Sequence, residues 1–271
     1  MNKEEFDKKV SELKKKENFD FNDLCTIMKV LRSENGCPWD KEQDHLSIRK
    51  NLIEETYEVI EAIDDKNNVL MCEELGDFIL QAVFHCEIAE SEGAFNINDV
   101  LNGICKKLII RHPHIFADVT ADTSDEVLKN WDNIKQKTKG NKTASQSIAS
   151  ISKALPSLMR AYKVGEKAAK VKFDVENAKD ALSKVKEETS ELEEAISSSK
   201  NVEEELGDLL FAVVNTSRKL KIDPEEALYR ATDKFSNRFA LVEQMAAEKG
   251  RQLSDFSPEE MDQMWQNAKK F

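Results

Sequence analysis

The chain is short of glycine and proline, with 8 and 5 among 271 residues. A fold made of many tight turns needs more of both, so a turn-rich β architecture is excluded and long helices are favoured. Aromatic residues make up only 7% of the chain, and runs of β-branched residues are scarce. Ala, Leu, Glu and Lys dominate instead, and these are strong helix formers. Cationic side chains are outnumbered, 40 Lys and Arg against 52 Asp and Glu, for a net charge of −12. That balance argues against a nucleic-acid polymer as partner, because such a partner calls for a basic face that displaces counterions. No apolar run approaches membrane-spanning length. The stretch Met1–Lys16 alternates charges and lacks the apolar core of a secretory signal. Cys25, Cys37, Cys72, Cys86 and Cys105 form no CxxC pair and are odd in number. They read as reduced thiols, neither a disulfide framework nor a zinc site. These absences lead to the expectation of a cytoplasmic protein with no membrane anchor.

What the chain has is one acidic pattern, present twice. Glu54-Glu55-Thr56-Tyr57-Glu58 is followed by Glu74-Leu75-Gly76-Asp77. Glu187-Glu188-Thr189-Ser190-Glu191 is followed by Glu205-Leu206-Gly207-Asp208. Acids three apart share one face of an α-helix. Each copy therefore offers two helices with two carboxylates on one side, and an antiparallel pairing brings four together. Four like charges meet only around something positive, and a hard divalent cation bound by oxygens is the economical choice.

Apolar periodicity predicts helices over residues 3–16, 21–34, 46–64, 69–92, 98–111 and 124–137 in the first half. In the second half it predicts helices over 155–170, 177–197, 205–220, from Asp223-Pro224 to Gly250, and from Ser257-Pro258 onward. The stretches 78–84 and 209–214 are apolar on nearly every side, which predicts a central place in each bundle. Gly76 and Gly207 inside helices imply the close approach of a neighbouring helix or a ligand. The halves superimpose by subtraction: Glu55 and Glu188 are 133 apart, Glu74 and Glu205 are 131, and Lys107 and Lys234 are 127. Trp131 and Trp265 are 134 apart. A tandem duplication of one all-α helical-bundle unit follows. We place a charged N-terminal helix at 1–20, a first domain at 21–137, a polar, small-residue linker at 138–150 and a second domain at 151–271.

An isolated ExxE is ordinarily a solvated helix face. Here the spacing recurs, and each second pair opens the most apolar helix of its half, where unpartnered carboxylates are costly. Di-iron bundles use Glu-x-x-His, whereas this chain has Glu-x-x-Asp; His85 has no counterpart in the second copy. An oxygen-only ligand set suits Mg²⁺, with Mn²⁺ as the alternative, and Mg²⁺ points towards a phosphate ester or anhydride. Lys107/Arg111 and Lys234/Arg238 are basic pairs at i, i+4, suited to phosphate oxygens. Trp39, Trp131 and Trp265 offer flat surfaces for a base. Helix packing is the more ordinary role of Trp131 and Trp265, and Trp39 and Trp265 are carried as candidate substrate contacts. His112 and His114 read as structural.

At these residues the chain resembles the MazG family of nucleoside triphosphate pyrophosphohydrolases. The resemblance lies in residues 35–43, 52–59, 74–77 and 111–118 for a first domain. For a second it lies in 155–161, 204–212 and the Trp265 segment. It covers about residues 21–271. It implies an all-α fold, Mg²⁺ dependence, a homodimer, and cleavage of a nucleoside triphosphate to monophosphate and pyrophosphate. It implies metal ligands at Glu55, Glu58, Glu74 and Asp77, and at Glu188, Glu191, Glu205 and Asp208. It also implies phosphate contacts at Lys234 and Arg238. Val175 departs from the family's usual Trp after Phe173-Asp174. The expected mechanism is in-line attack by a water at the α–β anhydride, with Glu187 or Glu191 receiving its proton. The rival expectations are a pyrophosphatase restricted to dUTP or dCTP, and a nucleotide-sensing scaffold without turnover.

Overall fold

The computed structural model describes residues 1–117, 123–124, 126–127, 130–131, 134 and 143–270. Every regular element among them is helical. By contacts the chain falls into two compact units, Met1–Lys135 and Gln136–Phe271.

In the first unit, α1 (Lys3–Leu13) packs on α2 (Phe21–Arg32). Asp20 opens α2 by accepting from Asn22 and Asp23 backbone N–H groups, and the Asp23 side chain reaches back to the Asp20 N–H. Such reciprocal capping satisfies donors that a helix start leaves orphaned. The buried Asp23 carboxylate also accepts from Lys16, in the segment after α1, which ties α1 down. Asn35 and Gly36 end this run as expected, and Pro38 opens the short α3 (Pro38–Glu42). The Arg32 guanidinium donates to the Asp40 and Gln43 carbonyls and so fixes the segment that presents Trp39.

The helical hairpin follows: α4 (Arg49–Asp64) and α5 (Asn68–Ser91). Its turn uses Lys66 in the left-handed region and Asn67 as cap, accepting from the Leu70 N–H. α2 lies across α5, and the core between them is Met28, Ile48, Val83, Phe84 and Ile88. α6 (Ile97–Arg111) packs on α5 and ends at the short α7 (Pro113–Phe116).

The second unit repeats the plan. α8 (Ala144–Ala149) leads to α9 (Ser157–Ala169), which lies against α11 and α12. α10 (Ala178–Ser198) and α11 (Val202–Leu220) form its hairpin, turning through Ser199 and Asn201, both left-handed. Asp223 and Pro224 start α12 (Pro224–Glu248), and Gly250, at φ +67, follows it. A 3₁₀ turn at Leu253–Asp255 and α13 (Pro258–Ala268) complete a core of Val242, Ala246, Phe256, Met264 and Ala268.

The structure differs from the sequence reading at three places. The expected polar linker contains a helix in its described part, because Thr143 and Gln146 cap α8 reciprocally; residues 138–142 lie outside the described residues, as does most of the expected helix 124–137. The apolar helices α5 and α11 are central on one side only. Leu75, Phe78 and Ile79 on α5, and Leu210, Phe211 and Val213 on α11, are exposed. A period reports which faces are apolar, not whether their partner lies in the same chain. Finally, among the described residues and beyond its own helix backbone, no atom lies within 4 Å of a Cβ placed at Gly76 or at Gly207. Among the described residues, none supplies the neighbour inferred from those glycines.

Candidate metal centres

α4 and α5 run past each other so that Glu55 and Glu58 on one face Glu74 and Asp77 on the other. Ligand oxygens of Glu55, Glu58 and Glu74 all lie within 4.8 Å of one another. Asp77 stands outside this trio, but its charge acts on both Glu55 and Glu74. Desolvation pushes the Glu55 carboxyl above its usual range, helped by a hydrogen bond with Glu58 and by the charges of Asp77, Glu58 and Glu74. Glu74 is raised by desolvation first, then by Glu58, Glu73, Asp77 and Glu61.

In the second unit, oxygens of Glu188, Glu205 and Asp208 lie within 4.8 Å of one another. Glu191 is outside this trio, yet after desolvation it is the leading cause of the raised Glu188 and Glu205 carboxyls. The repeat thus gathers its acids twice, with a different fourth member left aside in each copy. Upward shifts of this origin mean that the charged forms repel one another, the condition that a cation relieves. The donor set is carboxylate oxygen throughout, which suits a hard ion.

The other expected residues are distributed around these clusters. Glu187 is exposed and held by Lys184, Nζ to Oε2 at 2.6 Å. Lys107 and Arg111 sit on α6, which packs on α5; Lys234 and Arg238 sit on α12, which packs on α11. Among the described residues none of the four forms an ion pair with the acids. The Arg111 guanidinium lies 5.2 Å over the Trp131 ring, and His112 meets that ring edge-on at 5.0 Å. Trp265 packs 5.0 Å from Phe235, one residue after Lys234. Trp131 and Trp265 thus make ring contacts with neighbouring side chains, while Trp39 is 57% exposed.

Two features escaped the sequence reading. Asp174 is bound by Arg218 and Lys219, an anchor between the segment after α9 and the end of α11. Burial pushes its carboxyl up, but those hydrogen bonds outweigh it and hold the group below its usual range. The second is Gln81, buried on α5 with its Nε2 3.5 Å from Glu55 Oε1. The signal was a single amide inside an otherwise apolar stretch. One turn further, His85 stacks on His45, with their Nδ1 atoms 2.8 Å apart.

Comparison with known proteins adds to this geometry. A model described as the MazG nucleotide pyrophosphohydrolase domain matches residues 43–116 and 176–242. The chain is 46% identical over 254 residues to the uncharacterized protein YabN of Bacillus subtilis (strain 168), covering 93% of this chain and 52% of that protein. It thus spans about half of that relative's length. It is 44% identical over 249 residues to the nucleoside triphosphate pyrophosphohydrolase/pyrophosphatase MazG of Thermotoga maritima, covering 92% of this chain and 95% of that one. To the nucleoside triphosphate pyrophosphohydrolase of Escherichia coli (strain K12) it is 42% identical over 252 residues, covering 91% and 96%.

Proposed function

The chain belongs to the MazG nucleotide pyrophosphohydrolase family, and on that footing we propose that it hydrolyses nucleoside triphosphates to monophosphate and pyrophosphate with Mg²⁺ or Mn²⁺ held by its acids. The observation that carries this reading is the convergence of carboxylates on each hairpin, Glu55, Glu58 and Glu74 in one and Glu188, Glu205 and Asp208 in the other. Asp77 and Glu191 complete the two ligand sets, since their charges bear on the same groups. When bound, the cation would offset the triphosphate's charge and favour attack at the α–β anhydride.

The chain's own residues supply the rest. Lys234 and Arg238, and in the first unit Lys107 and Arg111, receive phosphate oxygens; Lys acts as a point charge and Arg as a fork. Trp131 and Trp265 brace the helices carrying those cations, supported by their contacts with Arg111 and Phe235. Trp39 is the surface left open for a base. A carboxylate oxygen of Glu191 takes the proton of the attacking water. Glu187, the other candidate, is engaged by Lys184. A second copy of the chain covers the exposed apolar faces of α5 and α11, making the active form a homodimer; the exposure of Phe78 and Leu210 supports this.

The test is product analysis across natural and damaged NTPs and dNTPs with Mg²⁺, using the full chain. Pyrophosphate and monophosphate are the expected products. Glu74→Gln and Glu205→Gln are each expected to remove the activity of their own unit, and together to abolish it. Orthophosphate as product, or turnover by the double variant, would refute the reading. The same panel separates a base-restricted enzyme, active on one or two nucleotides, from a scaffold that binds without turnover.

A further inference from the structure

Two polar side chains are buried among the described residues, Asp23 and Gln81. Asp23 is matched by Lys16 and by the Asp20 N–H. Gln81 is not. Its side chain is only 6% exposed, yet Oε1 is buried with no partner, and Nε2 has only the long contact to Glu55. A buried acceptor left unmatched is a standing cost that native structures rarely carry without cause. The fold itself does not demand an amide here, because Ala212 holds the equivalent place, 131 residues on, in the second unit. The amide lies one helical turn beyond Asp77 on α5 and points at a carboxylate of the acidic trio.

We propose that Gln81 is a positioning residue of the first unit's metal centre, donating from Nε2 to hold Glu55 in its ligating orientation while Oε1 accepts from a water of the bound cation's shell. This rests on the reading that the acids hold a divalent cation. An amide gives a donor and an acceptor without adding a negative charge to the trio. Partners behind a metal ligand fix its orientation, and their loss weakens metal binding by roughly tenfold to a hundredfold. The competing use of Oε1 is a water shared with His85, four residues on, whose Nε2 is also buried without a partner. In that case Gln81 serves packing and leaves the ion indifferent to it.

The experiment is Mn²⁺ titration followed by electron paramagnetic resonance, on the full chain with the second cluster disabled by Glu205→Gln and Asp208→Asn. In that background, Gln81→Met keeps the side chain's volume and Gln81→Ala reproduces the second unit's residue. Helical content and melting temperature without metal are recorded for each. We expect both substitutions to raise the Mn²⁺ dissociation constant by about tenfold or more, with helicity and metal-free melting unchanged. A dissociation constant within about twofold of the parent overturns the proposal and leaves the metal reading standing. Loss of helicity in both variants also overturns it, since the residue would then serve packing. Absence of Mn²⁺ binding with Gln81 intact refutes the metal reading itself, and the proposal falls with it.

Discussion

Replacing Glu188 by Gln is expected to change stability in opposite directions with and without a divalent cation. Glu188 lies within 4.8 Å of Glu205 and Asp208 oxygens, and like charges raise its carboxyl further after desolvation. At that separation and with water-like screening, one neighbouring charge costs about 0.9 kcal/mol. The group is partly exposed, so we take about 1 kcal/mol as the ceiling for the whole effect. The second unit has 136 residues, Gln136–Phe271, for which about 1 kcal/mol corresponds to roughly 3 °C in melting temperature. In EDTA the variant should therefore melt level with the parent or up to about 3 °C higher. With Mg²⁺ at a hundred times its dissociation constant, the parent gains about 2.7 kcal/mol, roughly 10 °C for a unit of this size. The variant should gain little. Differential scanning calorimetry with and without Mg²⁺ reads both arms. A variant that is less stable in EDTA, beside a parent indifferent to Mg²⁺, would refute the reasoning.

The raised carboxyls also set a pH dependence. Glu55, Glu74, Glu188 and Glu205 bind protons more tightly folded than unfolded, so the metal-free protein should lose stability as pH rises from the ordinary glutamate value of 4.5 through the raised folded values, read as a falling urea midpoint in EDTA. Asp174 runs the other way: its folded carboxyl is lowered, so its contribution is present above the ordinary aspartate value of 3.8 and is lost as pH falls through the lower folded value. Asp174→Asn weakens the ion pairs with Arg218 and Lys219, whose side chains are 10% and 16% exposed, and should cost about 1–3 kcal/mol by urea titration at pH 7. Gly207→Ala meets no neighbouring atom among the described residues beyond its own helix and should stabilise the isolated chain by about 1 kcal/mol. If the second copy packs there, sedimentation will show a weakened dimer.

The acids were legible because their spacing is a helical spacing, and because the second copy turned an ordinary pattern into a constraint. Helix starts at Asp223-Pro224 and Ser257-Pro258 followed from helix-start chemistry visible in the residues themselves. The same chemistry, Thr143 with Gln146, would have revealed α8, but small polar composition was read instead as a linker. Other features were hidden for physical reasons. Which three acids converge differs between the copies although their spacing does not, since side-chain approach depends on how two helices meet. Gln81 reads as an interruption in an apolar stretch until its direction across the hairpin is known. The exposure of α5 and α11, and the open space beside Gly76 and Gly207, depend on how the helices pack, which spacing along one helix does not report.

The bond between Lys16 and Asp23 has a practical bearing. The recognisable family pattern begins after α1, which makes residues 1–20 look disposable to anyone shortening the gene. Cutting there would remove the ammonium and the backbone amide that partner the Asp23 carboxylate at the start of α2. The shortened product would keep both acidic hairpins intact but lose the reciprocal cap that opens α2 and the ion pair that holds α1 to it. An expression trial that fails after such a cut would say nothing against the enzyme.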